Sequence, residues 1–110
     1  MPLLERVRVE VYIPDLPADA YRNLLRSFEM EFTYAFGGCT IVSGLEGSYL
    51  SKTGTRVPDR INLIYADLPL ALSTNFDLMA RYTRELRETS LEALSEETVL
   101  IAVNQVYHAV

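Results

Sequence analysis

The sequence predicts an α+β sandwich in the order β-α-β-β-α-β, with four antiparallel strands in one sheet and two helices on one of its faces. Three observations carry that prediction. A strictly alternating apolar run, RVRVEVYI, spans Arg6–Ile13; two long segments have helical periodicity; and between them Gly37–Ala66 holds two β-branched runs punctuated by glycines.

In Arg6–Ile13, Val7, Val9, Val11 and Ile13 share one face and Arg8, Glu10 and Tyr12 the other, the pattern of a half-buried strand. Pro14 ends it. Asp15 or Asp19 is placed to cap a helix over Ala18–Phe36, with Pro17 in its first turn. Tyr21, Leu24, Leu25, Phe28 and Phe32 form the inward stripe of that helix. Gly37-Gly38 supplies the positive φ of a helix C-terminus. Cys39–Ser43 then reads as a buried strand, Gly44 and Gly47 as a bulge or bend, and Ser48–Leu50 as the strand resumed. Gly54 takes the positive-φ place in the turn Lys52-Thr53-Gly54-Thr55. Pro58 belongs at the start or edge of a strand. Arg60–Ala66 is the third strand, with Ile61, Leu63 and Tyr65 facing one way and Asn62, Ile64 and Ala66 the other. Ser73 or Thr74 starts a second helix whose inward face is Phe76, Met79, Tyr82, Thr83 and Leu86. Thr89–Glu97 either extends it or forms a separate turn, and Thr98–Tyr107 is the last strand. Right-handed crossovers give the sheet order 4-1-3-2, the ferredoxin-like arrangement.

The helices cover one sheet face. The other is expected to carry Arg8, Glu10 and Tyr12, Asn62 and Ile64 of strand three, and Leu100, Ala102 and Asn104 of strand four. Left bare, it exposes Tyr12, Ile64 and Leu100 together, a patch of the kind that marks an interaction surface. A homo-oligomer, dimer or trimer, packed through this face is therefore expected. Scattered single apolar residues would need no such explanation, but these fall on neighbouring strands.

The chain, 110 residues and 49% apolar, forms one domain over residues 1–110 with material for a single core. No apolar run approaches the roughly 20 residues that span a bilayer, so no membrane partner is expected. The N-terminal MPLLERVRVE lacks the apolar core of a secretory signal, and the expected location is cytoplasmic. A net charge of −5 argues against nucleic acid as a partner. The single cysteine excludes an internal disulfide, and one cysteine with one histidine makes no metal-spacing motif. No metal is expected and no cofactor is specified.

Three stretches carry a resemblance: Gly37-Gly38-Cys39-Thr40, the bend Gly44-Leu45-Glu46-Gly47-Ser48-Tyr49, and the apolar strand Ile61–Tyr65. In them the chain resembles small bacterial ferredoxin-like proteins of unassigned function. More distantly, its layout is similar to the CutA-type and PII-type trimers, in which a long hairpin between strands two and three reaches toward neighbouring subunits or ligands. The resemblance implies the fold and oligomerisation, and transfers no activity.

No complete catalytic motif is present. Ser51–Arg56 has the composition of a phosphate loop but lacks G-x-x-x-x-G-K-[ST] and a following helix, so it reads as a solvated hairpin turn. Pro14-Asp15-Leu16-Pro17 is no Gly-rich anion cradle. Glu46, Tyr49, Arg56 and Asp59 would converge near the hairpin base, a set suited to proton transfer on a small carbonyl or phenolic substrate; the plainer reading is an exposed Glu46–Arg56 ion pair across the hairpin. Tyr34 and Phe36, beside the glycine pair, would line a groove between helix one and the hairpin. Cys39 reads as a small core hydrophobe, and His108, near the terminus, as exposed and idle. The leading expectation is a non-enzymatic oligomeric module that binds a small ligand or serves as a regulatory or scaffold unit. The alternative is a small cofactor-independent enzyme of the dimeric ferredoxin-like type, using Tyr34, Phe36, Tyr49 and Arg56 at one end of the sheet on a small organic substrate.

Overall fold

A computed structural model describes residues 2–94 and 99–110. The expected start of the last strand at Thr98 and the end of the Thr89–Glu97 segment lie outside them. The elements are β1 (Leu3–Pro14), α1 (Asp19–Phe36), β2 (Thr40–Leu50), β3 (Arg56–Leu68), α2 (Leu72–Leu94) and β4 (Leu100–Ala109). The strands form one antiparallel sheet in the order β2-β3-β1-β4, the predicted order read from the other edge. No helix among the described residues is long and apolar enough to cross a membrane.

The central strand β1 sets the core. Val7, Val9, Val11 and Ile13 are at most 1% exposed, and each fully buried side chain of this size contributes about 1.5–3 kcal/mol. From β3, Ile64, Ala66 and Leu68 join the same layer, and Leu24, Leu25, Phe28 and Phe32 of α1 close over it. Phe28, Phe32 and Phe36 run in a chain of tilted contacts, and Phe36 meets Tyr82 of α2 edge to face at 5.6 Å. Burial pushes the Tyr82 hydroxyl well above the usual tyrosine range, and its 2.7 Å hydrogen bond to Glu31 pushes the same way.

Helix ends follow local chemistry. Gly37 takes φ +86° and donates its N–H to the Thr33 carbonyl at 3.0 Å, the left-handed cap expected of the glycine pair. The start of α1 corrects the expectation. Ala18 is the cap residue and makes no side-chain bond; Asp19 lies in the first turn, where its charge complements the helix dipole, while Asp15 lies 3.7 Å from Arg60. α2 runs on through Leu94, burying Ser90, whose hydroxyl donates to the Leu86 carbonyl at 2.8 Å. Asn75 departs from helical geometry (φ −127°, ψ 21°), and its side chain donates to the Ala71 carbonyl at 2.8 Å. Next to this break Phe76 is 67% exposed, not part of the core as its place on the stripe predicts. Its ring lines a groove toward β4 with Leu72, Met79 and Val103.

The orientation of β3 is the main correction. Val11 pairs with Ile64 and Val9 with Ala66, so Ile64 is buried under the helices and Asn62 lies on the same side. Ile61, Leu63 and Tyr65 occupy the open face instead. Both alternating sets of β3 are apolar, so periodicity alone does not choose between them; the pairing with β1 does.

Beyond Pro14↔Ile61, β1 no longer pairs with β3, and Leu45–Leu50 pair only with Arg56–Ile61. This two-stranded ribbon projects about 20 Å at roughly 3.3 Å per residue, which helps stretch the molecule to 48 × 27 × 24 Å. Pro58 is tolerated there because β3 has no neighbour on its β1 side. A β-bulge marks the ribbon's root: Ser43 and Gly44 together oppose Asn62. Gly44 has φ +68°, and a Cβ there would meet the Arg60 guanidinium at 3.0 Å. Its N–H is taken by the Asn62 side-chain oxygen at 3.0 Å.

Two substitutions separate core from rim. Phe32→Ala should destabilise the fold by roughly 3–5 kcal/mol, whereas Phe76→Ala should change it by no more than about 0.5 kcal/mol. Urea denaturation read by circular dichroism measures both, and equal losses would contradict this assignment of the two rings.

Candidate functional site

The open sheet face divides into a polar part and an apolar part. Opposing pairs place Arg8 across from Asp67 and Asn104, Glu10 across from Tyr65 and Ala102, and Tyr12 across from Leu63 and Leu100. Alternation along β1 puts these residues on the solvent side because the valines take the other.

Arg8 is the hub of the polar part. Its Nε and Nη2 donate to the two oxygens of Asp67 at 2.7 and 2.9 Å, a bidentate pair, and its guanidinium lies 4.3 Å from the centre of the Tyr65 ring. His108 Nε2 lies 2.8 Å from the second Asp67 oxygen. The Arg8 bonds hold the Asp67 carboxyl below its ordinary range and outweigh the opposing effect of its partial burial. Beside this, Glu10 accepts from the Tyr12 hydroxyl at 3.2 Å and from the Asn104 amide. Desolvation raises the Tyr12 hydroxyl, and the Glu10 charge adds to it. Every charge in the middle of this face thus has a partner on the same face. Arg8 and Asp67 can be covered as a matched pair, whereas Glu10 is held by the neutral donors Tyr12 and Asn104, so a partner covering this face has its carboxylate left to match.

Toward the ribbon the face turns apolar. Leu63, Ile61, Val42 and Leu45 continue into Val57 and Tyr49, with Tyr12 and Leu100 alongside. Leu100 is 63% exposed and Tyr49 56%.

The residues singled out from the sequence do not form one site. Thr40–Leu50 separates Phe36 from Tyr49 by about 30 Å of strand. Tyr34 is 84% exposed on α1, while Phe36 packs against Phe32 and Tyr82. The expected groove joining Tyr34 and Phe36 to the hairpin is therefore absent from the described residues: Phe36 lines a small hollow with Leu70, Leu78 and Tyr82 instead. Nor do the ribbon residues converge. Tyr49↔Val57 and Gly47↔Asp59 put Tyr49 and Asp59 on the open-face side, whereas Glu46↔Arg60 and Leu50↔Arg56 put Glu46 and Arg56 on the opposite side. The expected Glu46–Arg56 cross-strand pair is out of register, since Arg60 stands opposite Glu46.

Of the residues expected on the open face, Arg8, Glu10, Tyr12, Leu100, Ala102 and Asn104 lie there; Asn62 and Ile64 do not. Sequence reasoning missed Leu63, Tyr65, Asp67 and His108. The signal for the first three was the second alternating set of β3. For His108 there was none, because its contact with Asp67 joins strands that are not neighbours. Cys39 is partly buried, with its sulfur 4.0 Å from the Glu29 carbonyl. Among the described residues, no three His, Cys, Asp or Glu side chains gather where they would hold a metal ion.

No protein-family model matches the chain, and no curated protein matches it significantly. Solved structures similar to it include CPII from Thiomonas intermedia K12, in a complex with ADP, AMP and acetate, at 17% identity over 99% of this chain and 93% of that one, with a TM-score of 0.48. CutA1 from Oryza sativa is similar at 18% identity over 97% of this chain and 83% of that one, with a TM-score of 0.47.

Two tests follow from the geometry. With the Asp67 carboxyl held low in the folded state, the folded protein binds fewer protons than the unfolded chain. The stability it contributes is then full above the ordinary carboxyl value of about 4 and is lost as pH falls through the lower folded value. Asp67→Asn should cost on the order of 1–2 kcal/mol at pH 7, and the difference from wild type should shrink in acid below about pH 4; a constant difference down to about pH 2.5 would rule out this role. At the bulge, Asn62→Ala should cost about 1 kcal/mol and Asn62→Asp, which keeps the acceptor, less; thermal melts that rank them the other way would refute the Gly44 contact.

Proposed function

We propose that this chain is an oligomeric small-ligand-binding or regulatory module that assembles, as a dimer or trimer, through its open sheet face. The observation that carries the reading is the apolar half of that face. Leu63, Ile61, Val42 and Leu45 make one apolar surface from the sheet to the root of the ribbon, and Tyr49 and Val57 continue it beyond the Gly47–Asp59 rung, where the Asp59 carboxylate lies on the same side. An isolated two-stranded ribbon is marginal in water, and one that turns apolar side chains outward gains from lying on a second copy. The self-paired Arg8–Asp67 charges support the same reading, since covering them leaves no ion unmatched. Tyr49 and Asp59, on one side of the ribbon, would then meet a neighbouring subunit and supply a phenol and a carboxylate to a small ligand at the boundary. Glu46 and Arg56 would face away from it. The enzyme alternative has less support, because its four residues stand at opposite ends of β2.

Native mass spectrometry of freshly purified protein reads subunit number and bound small molecules together. Dimers or trimers are expected, and Leu63→Asp should convert them to monomers that remain folded by circular dichroism. A wild-type monomer at about 100 µM, well above the affinity of a standard-size interface, would defeat the proposal.

A further inference from the structure

The two edges of the sheet are not alike. β2 is broken by the Ser43–Gly44 bulge, carries Glu46 and curls away into the ribbon, all devices that discourage a further strand. β4 has none of them. From Leu100 through Tyr107 it holds no charged residue, no proline and no register shift. It pairs with β1 on one side, and among the described residues no strand pairs with its other side.

Beside this edge, on the helix side, runs a groove between α2 and β4. One end is apolar, a hollow of about 250 Å³ lined by Leu72, Phe76, Met79 and Val103. The other end opens to about 650 Å³ over Val99 and Ile101 and carries Arg84 and Arg87, three residues apart on α2. Among the described residues neither arginine makes an ion pair. In a chain of net charge −5, this is a local basic site at the end of an apolar trough, next to a free strand edge.

We propose that the β4 edge and this groove form a docking site for an extended segment of another protein, aliphatic along its length and carboxylate-bearing at its C-terminal end. The segment adds to β4 as an antiparallel fifth strand, the better-paired direction. That direction sets its polarity. Its C-terminal end falls beside Leu100, where Arg84 and Arg87 meet the carboxylates. Its alternate side chains enter the trough at Ile101, Val103 and Phe76, because successive residues of a strand point to opposite faces. The exposed Phe76 ring is then covered by the ligand. A basic segment is repelled at the arginine end, so charge sets the choice of partner.

The probe is an acetylated seven-residue peptide that alternates valine and threonine and ends in two glutamates, titrated into the full 15N-labelled chain. Saturable shifts confined to Leu100–Val106 and the α2 groove are expected, with hydrogen-exchange protection gained along β4. The double variant Arg84→Glu/Arg87→Glu, both on the helix surface, should melt near wild type and bind the peptide at least about ten-fold more weakly. The same peptide ending in two lysines should bind the wild type at least about ten-fold more weakly too. Equal affinity for the two peptides overturns the proposal, as do shifts centred elsewhere or an absence of saturation up to millimolar concentrations. Cross-links joining β4 to β4 of a second copy overturn it as well, since the edge would then be closed by self-association.

Discussion

A strand paired on both edges has two faces, and two helices can cover only one of them. That constraint, acting on β1, organises the molecule. Val7, Val9, Val11 and Ile13 are drawn under α1 and α2, and the same alternation forces Arg8, Glu10 and Tyr12 to the open side. The core and the candidate interface are therefore two consequences of one period-two pattern. A change that moved β1 by one residue would exchange them, driving an arginine and a glutamate under the helices. The antiparallel ladders to β3 and β4 hold it in place along its whole length.

The second organising device is the bulge at Ser43–Gly44. Before it, Ile41 stands opposite Ile64 on the core side; after it, Leu45 stands opposite Ile61 on the open side. One extra residue thus carries the apolar side chains of β2 from the core onto the outer surface as the strand leaves the body. Asn62 secures this by binding the Gly44 N–H that the ladder gives up, and Gly44 supplies the positive φ together with the space that the Arg60 guanidinium needs. The ribbon then turns Leu45, Ile61, Tyr49 and Val57, with Asp59 between them, in the same direction as the open sheet, so the two form one surface. Function on this reading lies in surfaces made by what the helices leave uncovered, and on the polar part of that surface Arg8 and Asp67 stand as a matched pair.

Some residues gain meaning only from this placement. His108, near the chain end, meets Asp67 across the open face. Phe76 follows the helical period of Met79 and Tyr82 yet lies outside the core, since α2 breaks at Asn75 and its first turn overhangs the groove beside β4. Glu46, Tyr49, Arg56 and Asp59 are close in sequence and lie on one ribbon, but alternation divides them between its two sides.

By itself the sequence determined the element order, the strand order, the buried faces of β1 and α1, and the positive-φ glycines at positions 37 and 54. Each rests on local periodicity or on a backbone conformation that one residue type prefers. Only the tertiary structure decided which face of β3 is buried, which residue opposes Glu46, and that Asp67 and His108 meet. β3 carries apolar residues on both faces, so its local pattern is satisfied either way. The choice is made by long-range register with β1 and by the bulge in β2, and register is a property of two strands together.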